Sequence, residues 1–154
     1  MSALERLADL GIILPAVAAP VASYHPAVRH DDLVWTAGQL PMVEGRLLAA
    51  GVVGRDVDAD TANLCARQCA LNALAAVDAL VGLDRVVRVV KVVGFVASAP
   101  DFTGQPGVIN GASDLLGDVF GDAGQHARSA VGVNVLPLGA PVEVEMVLAV
   151  ASES

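Results

Sequence analysis

The segment RVVRVVKVVGFVASA, residues 85–99, constrains the fold more than any other part of this sequence. It is rich in valine and almost continuously apolar, which favours a strand buried on both faces in the middle of a sheet. Such a strand needs a neighbour on each side and a covering layer of helices. Helical and strand patterns lie both before and after it, so the chain can supply this layer itself.

Two long segments are predicted to be the covering helices. The first runs from about 60 to 81, follows several candidate N-caps, and ends at Gly82. Its leucines do not form one stripe, which indicates a helix covered on more than one side. The second opens at Pro106 and ends between Gly121 and Gly124. Its apolar residues recur at helical spacing, at Val108, Ala112, Leu115, Leu116, Val119 and Phe120.

The other apolar segments are short and read as strands. They are AVRH, LVWTAG at 33–38, GRLLAAG, SAVGVNV and VEVEMVLAV. With a short helix near the N-terminus, the order is β-β-β-α-β-α-β-β. This order predicts an α+β fold in which two helices pack on one face of a single mixed β-sheet. Residues 1–19 are interpreted as a helical lead-in and residues 20–154 as one domain.

The last predicted strand, VEVEMVLAV, has two different faces. Its even positions, Val142, Val144, Met146, Leu148 and Val150, form a core face. The other face carries Glu143 and Glu145 beside Val147 and Ala149, which suits contact with another subunit around a polar pocket. On such a face Arg128 could hold a carboxylate through two hydrogen bonds from its planar guanidinium group. The alternative is a structural ion pair between Arg128 and Glu143.

Composition restricts the partners. Hydrophobic residues make up 55% of the chain but aromatic residues only 3%, and this surplus of apolar surface predicts a homo-oligomer. The net charge of −8, with no basic stripe, excludes nucleic acid as an expected partner. The apolar run at 10–22 is too short and too rich in proline to span a membrane. An AVA sequence at 16–18 resembles a signal cleavage site, but the acidic residues before it favour a cytoplasmic protein.

Neither the cysteines nor the histidines suggest a metal site. Cys65 and Cys69 are predicted to be small buried residues, since two cysteines are too few for a structural zinc. His25, His30 and His126 are too scattered to be ligands, although His126 lies two residues from Arg128. The sequence also lacks phosphate-binding, dinucleotide and hydrolase motifs.

Four segments together resemble the RidA/YjgF family, also called the L-PSP endoribonuclease family. They are SYHPAV at 23–28, TAGQLP at 36–41, the pairing of VVKVVGFVAS with DF at 89–102, and HARSAVGVNVLPLGAPVEVE. The resemblance implies a chorismate-mutase-like fold and a homotrimer with ligand clefts between subunits. It also implies hydrolysis of reactive enamines and imines to 2-oxo acids and ammonia, without a metal or organic cofactor.

The resemblance also implies roles for individual residues. Arg128 would grip the substrate carboxylate, while Glu143 and Tyr24 would shape the site for substrate and water. The remaining substrate-binding positions would be Ala37, Gly38, Asn110 and Ala130. Ala37 stands where the family has serine and Ala130 where it has cysteine. These two changes leave open a second hypothesis, a trimer that binds a small carboxylate without turning it over. Neither a membrane nor nucleic acid is expected as a partner.

Overall fold

A computed structural model describes residues 1–20 and 22–153 of the chain. Its main elements are a five-stranded sheet, a two-stranded ribbon and three α-helices, joined by short 3-10 turns. In chain order they are α1 (Ala3–Asp9), β1 (Ala27–His30), β2 (Leu33–Thr36), β3 (Met42–Val43), β4 (Arg46–Leu47), α2 (Ala59–Val81), β5 (Val86–Ala97), α3 (Gln105–Phe120), β6 (Ala127–Val133) and β7 (Val142–Val150).

The strand order in the sheet is β1-β2-β7-β5-β6. Only β5 and β6 run parallel, since α3 carries the chain back between them, and the other pairs are antiparallel. The predicted α+β class with a mixed sheet is therefore confirmed. The predicted third strand at 45–51 is wrong. There β3 and β4 form a separate ribbon, closed by a two-residue turn at Glu44 and Gly45, which both have positive φ.

Helix α2 is the central helix of the core. Its first turn is capped by Asp58, whose Oδ1 accepts a hydrogen bond from the Thr61 amide at 2.7 Å, and Gly82 ends it with positive φ. Its buried residues occupy a wide arc, which confirms a helix covered on more than one side. By length and composition α2 could cross a membrane, but most of it is buried inside the domain, as in the core helix of a globular protein.

Helix α3 packs beside α2 over the same face of the sheet. The two helices approach closely at Gly111, where a Cβ atom would collide with the backbone oxygen of Asn63. The short helix α1 begins with a capping box between Ser2 and Glu5 and buries Leu7. It lies against α3 and the 3-10 turn before β5.

The opposite face of the sheet has no covering element within the described residues. Strand β5 is buried toward the helices at Val89, Val92 and Val96, but the other side of the strand is only half-buried or exposed. The prediction of burial on both faces is therefore wrong for a single chain. Trp35 is 49% exposed on this outer face. Val28 and Val147 pair with it on this face, and Val93, Phe95 and Val131 lie on the same face farther across the sheet.

Candidate functional site

Arg128 lies on the helix side of the sheet, held by the first half of α3. Its β5 partner is the buried Val92, so both side chains point toward the helices. Arg128 Nη1 donates to Asn110 Oδ1 at 2.8 Å and to Ser113 Oγ at 3.1 Å, while Nη2 donates to the Pro106 carbonyl at 3.1 Å. The three acceptors fall on one face of the helix because their spacing is four and then three residues.

These contacts use only part of the guanidinium. Arginine has five N–H donors, and in residues 1–20 and 22–153 three of them are engaged in the bonds to α3. The Nε–H and one Nη2–H are not used in these bonds, and Nε and Nη2 can present parallel N–H groups along one edge of the planar group. Two parallel donors of this kind match the two oxygens of a carboxylate. The geometry therefore presents a preformed half-site for an anion.

Glu143 and Glu145 lie in a different place, a cavity of about 360 Å³ on the outer side of β7. Tyr24, Ala37 and Gly38 line the same cavity, as do Gln39 and the connector residues 18–20. Gln39 continues beyond β2 and exchanges backbone hydrogen bonds with Val144 at 2.8 and 3.0 Å. This pairing holds the loop from 37 to 40 directly over the glutamates.

Gly38 touches the carboxyl group of Glu143. A Cβ atom at Gly38 would stand 2.8 Å from Glu143 Cδ and 2.9 Å from Oε2, closer than real Cβ contacts allow. The residue therefore has to be glycine for the glutamate to keep its present position.

Replacing Gly38 by alanine is expected to displace the Glu143 carboxyl group. Because a flexible side chain can move away, thermal stability should change little. Turnover that depends on this carboxylate should fall on the order of 10²-fold, the usual loss when a proton-transferring group is misplaced. Kinetics and a melting curve measured together test this expectation. A variant that melts as wild type and retains full activity would show that the position of Glu143 does not matter.

The environment of Glu143 changes its acidity. Burial raises the pKa of this carboxyl group, and the nearby charge of Glu145 raises it further. The shift brings Glu143 closer to neutral pH, where a carboxyl can both take up and return a proton. It also affects stability, because the raised pKa means that the fold favours the protonated form. That contribution is present below the ordinary carboxyl pKa and is lost as pH rises through the raised value.

Replacing Glu145 by glutamine should lower the pKa of Glu143, because it removes a like charge. If ionised Glu143 acts as a base, the acidic limb of the pH profile of kcat/KM moves to lower pH. It does not return to that of an exposed carboxyl, since burial persists. A pH profile of each protein measures this, with the exposed Glu44 replaced by glutamine as the matched control. A limb that stays in place would mean that another group titrates.

A single chain does not bring Arg128 and Glu143 together. Glu143 pairs with Phe95 on the outer face, whereas Arg128 points to the helix face. Strand β5 also separates their strands, which places β6 and β7 about 10 Å apart. Within the described part of the chain no ion pair joins the two side chains, so the alternative of a structural ion pair is not supported.

The other predicted residues lie in three places: beside Arg128, in the cavity that holds Glu143, and in the core. The first two places are called the two half-sites. Asn110 contacts Arg128, while Tyr24, Ala37 and Gly38 lie with Glu143. Ala130 instead packs against the core, on the face that also carries Gly94. Sequence reasoning missed Ser113, which contacts Arg128. The signal was present, because a polar residue three positions after Asn110 repeats on the same face of an apolar helix.

The cysteines are buried and free, as the sequence predicted. Burial raises the pKa of the Cys65 thiol to about 11, and it also raises the pKa of Cys69. Both thiols are therefore protonated and unreactive. Among residues 1–20 and 22–153, no group of three or more His, Cys, Asp or Glu side chains is arranged to hold a metal ion.

Comparison with known proteins agrees with this architecture. Residues 4–150 match the family model described as "YjgF/chorismate_mutase-like, putative endoribonuclease". Protein TCP17 of Trypanosoma cruzi is 46% identical over 142 residues, covering 91% of this chain and 89% of its own. Protein Atu1372 of Agrobacterium tumefaciens, described as of unknown function, is 42% identical, with coverage of 97% and 92% and a TM-score of 0.88. A Shewanella oneidensis structure is 30% identical, with coverage of 97% and 100% and a TM-score of 0.93.

The fold and the two half-sites define a small α+β protein of the chorismate-mutase-like class. The chain belongs to the YjgF family, since the family model covers nearly its whole length. The matched region includes α1, so the helical lead-in lies mostly within the part of the chain that the family model describes.

Proposed function

We propose that this protein hydrolyses 2-imino acids and their enamine tautomers to 2-oxo acids and ammonia, in clefts between the subunits of a homotrimer. One observation carries the proposal. The Arg128 guanidinium, which suits a carboxylate, and the Glu143 carboxyl group, which suits proton transfer, lie on opposite faces of the sheet. The two become complementary when Arg128 of one subunit meets Glu143 of the next.

The chemistry needs little more than these groups. An imine carbon is already electrophilic, so the site must hold the substrate, place a water and move protons. The imine reacts in its N-protonated form. Water adds to the carbon of the C=N bond and gives a neutral carbinolamine, with Glu143 accepting the proton of the water. Glu143 then returns that proton to nitrogen. As the C–N bond breaks and the C=O bond forms, Glu143 accepts the proton of the carbinolamine hydroxyl and ammonia leaves. The proposal requires no metal and no organic cofactor.

The outer face of the sheet supports the trimer. It carries Trp35, 49% exposed, and Val28, 47% exposed, in one row with Val147. A contiguous apolar surface of this kind marks a contact with another protein. It would be buried if the sheets of three subunits packed together into a central barrel. The proposal places the protein in the cytoplasm, a reducing compartment that suits two free buried cysteines.

The test is competition with semicarbazide for imines. An amino-acid oxidase generates 2-imino acids in situ from several amino acids, and semicarbazide traps whatever imine is not hydrolysed. We expect the purified protein to suppress semicarbazone formation and to release 2-oxo acid and ammonia in equal amounts. If it suppresses none of the imines, the deaminase proposal fails.

A non-catalytic carboxylate-binding trimer is the second candidate. The observation that favours it is Ala37, which lines the Glu143 cavity without the hydroxyl that the family resemblance leads one to expect there. A hydroxyl at that position could hold substrate or water by a hydrogen bond worth about 0.5–1.5 kcal/mol. A protein that binds 2-oxo acids but hydrolyses no imine would be of this kind.

Endoribonuclease activity, named in the description of the family model, fits this chain poorly. The net charge is −8, and two glutamates line the outer cavity, so a phosphate backbone would be repelled. Aromatic residues, on which unpaired bases stack, make up only 3% of the sequence.

A further inference from the structure

A second layer of polar contacts lies behind Arg128, and the reaction steps proposed above make no use of it. His126, half-buried at the start of the β6 region, places Nδ1 2.6 Å from the Gly124 carbonyl oxygen. Its Nε2 lies 2.9 Å from Ser113 Oγ, and the same hydroxyl oxygen accepts from Arg128 Nη1 at 3.1 Å. Ser113 therefore links the histidine to the arginine.

The directions of these hydrogen bonds follow from the chemistry of the groups. A carbonyl oxygen can only accept, so His126 carries its proton on Nδ1 and donates it to Gly124. In the neutral ring, Nε2 is then an acceptor and takes the hydroxyl proton of Ser113. The lone pairs of Ser113 stay available to Arg128. The donors thus run in one direction, from Arg128 to Ser113 to His126 to Gly124, and each bond polarises the next.

We propose that Ser113 and His126 are positioning residues for carboxylate recognition by Arg128. Together with Asn110 they hold Nη1, so the Nε–H and the remaining Nη2–H keep a fixed direction toward the ligand. An arginine side chain is otherwise flexible, and fixing it before binding removes an entropic cost of association. This inference rests on the part of the proposed function that makes Arg128 the carboxylate anchor, and it does not require turnover.

The charges around His126 belong to three elements. Asp114 and Asp118 of α3 line the same groove, which has a volume of about 700 Å³. Arg128 follows on β6 itself, and Arg88 of β5 donates to the Gln125 carbonyl at 2.9 Å. Both signs of charge are thus present around the groove that His126 lines, and the inference rests on the hydrogen-bond geometry.

The first test is Ser113→Ala, which removes the link and keeps a good helix former in α3. We expect KM for 2-imino acids and Kd for pyruvate to rise about tenfold, with kcat within about twofold of wild type. Ser113→Thr, which restores a hydroxyl, should recover most of the affinity. His126→Phe removes the acceptor for the Ser113 proton and should raise KM by a smaller factor. Ser152→Ala and His30→Phe, at the opposite edge of the sheet, are the matched controls.

Nitrogen-15 NMR of the Arg128 guanidinium provides a readout that is independent of activity. In the wild type the bonds to Nη1 and Nη2 should slow rotation of the group and give resolved Nη signals. In Ser113→Ala these signals should broaden or average. Wild-type KM, Kd and guanidinium signals in that variant would overturn the inference, as would a loss confined to kcat. If the wild type hydrolyses no imine but still binds pyruvate, the deaminase proposal fails and this inference stands. If the wild type binds no pyruvate, this inference is overturned.

Discussion

Replacing Arg128 by alanine is expected to lower kcat/KM for 2-imino acids on the order of 10²-fold to 10³-fold, mainly through loss of carboxylate binding. Truncating one partner of a hydrogen-bonded charge pair usually costs about 2–5 kcal/mol, which is a loss of about 30-fold to 5000-fold and brackets this range. The remaining groups near Arg128 cannot replace it, because Asn110, Ser113 and the Pro106 carbonyl serve as acceptors of its protons. Parallel semicarbazide assays of the two proteins measure the effect.

Two matched variants show whether the effect of replacing Arg128 comes from lost carboxylate binding, from lost charge or from misfolding. Arg128→Lys keeps the positive charge but lacks the planar fork, so it should recover only a small part of the affinity. Arg55→Ala removes an exposed arginine that pairs with Asp56 and should behave as wild type. If Arg128→Ala lowers the melting temperature and leaves carboxylate affinity intact, the arginine is structural and the proposed anchor is wrong.

Mixing two inactive variants is expected to restore activity. Arg128→Ala and Glu143→Ala each disable every cleft of a homotrimer that contains only that variant. In a mixed trimer, a cleft regains both groups when an intact Arg128 from one subunit meets an intact Glu143 from its neighbour. Random assembly of equal amounts gives this arrangement in about one quarter of the clefts, so about one quarter of wild-type activity should return.

Co-expression with two different affinity tags allows the mixed assemblies to be purified and assayed. Each mixed trimer holds one complete cleft, so after this purification about one third of wild-type activity should return. The control is the same mixture built with Trp35→Glu in both chains. A charge on the apolar outer face should leave folded monomers, as judged by sedimentation, and these should restore nothing. Two results would contradict the inter-subunit cleft: mixed trimers that stay inactive, or monomers that retain the activity of wild type.

The sequence predicted the layers of this fold well because the spacing of hydrophobic residues along a helix or strand is a local property. The apolar arc of α2, its end at Gly82 and the alternation in β7 can all be read from neighbouring residues. The third strand was predicted wrongly for a local reason too. Glu44 and Gly45 both adopt positive φ and form a tight turn, so Arg46–Leu47 folds back onto Met42–Val43 and no strand extends over 45–51.

The arrangement of the site could not be read in the same way. The alternation in β7 correctly assigns Glu143 to the outer face. Nothing local assigns Arg128 to the helix face, because β6 is short, mixed in polarity and has a neighbouring strand on one side only. Its direction depends on its register with β5 and on the acceptors that α3 presents. The same holds for His126, which the sequence places two residues from Arg128 but whose contact with Ser113 depends on α3.

The sequence by itself determined which residues alternate toward the core, where α2 begins and ends, and which glutamates share a face. These features depend on the spacing of residues along the chain and on the conformations that single residues allow. Only the tertiary structure decided that Arg128 and Glu143 lie on opposite faces, that Gly38 touches the glutamate, and that Ser113 joins His126 to the arginine. Those facts depend on strand order and register, which bring together groups that are distant in sequence.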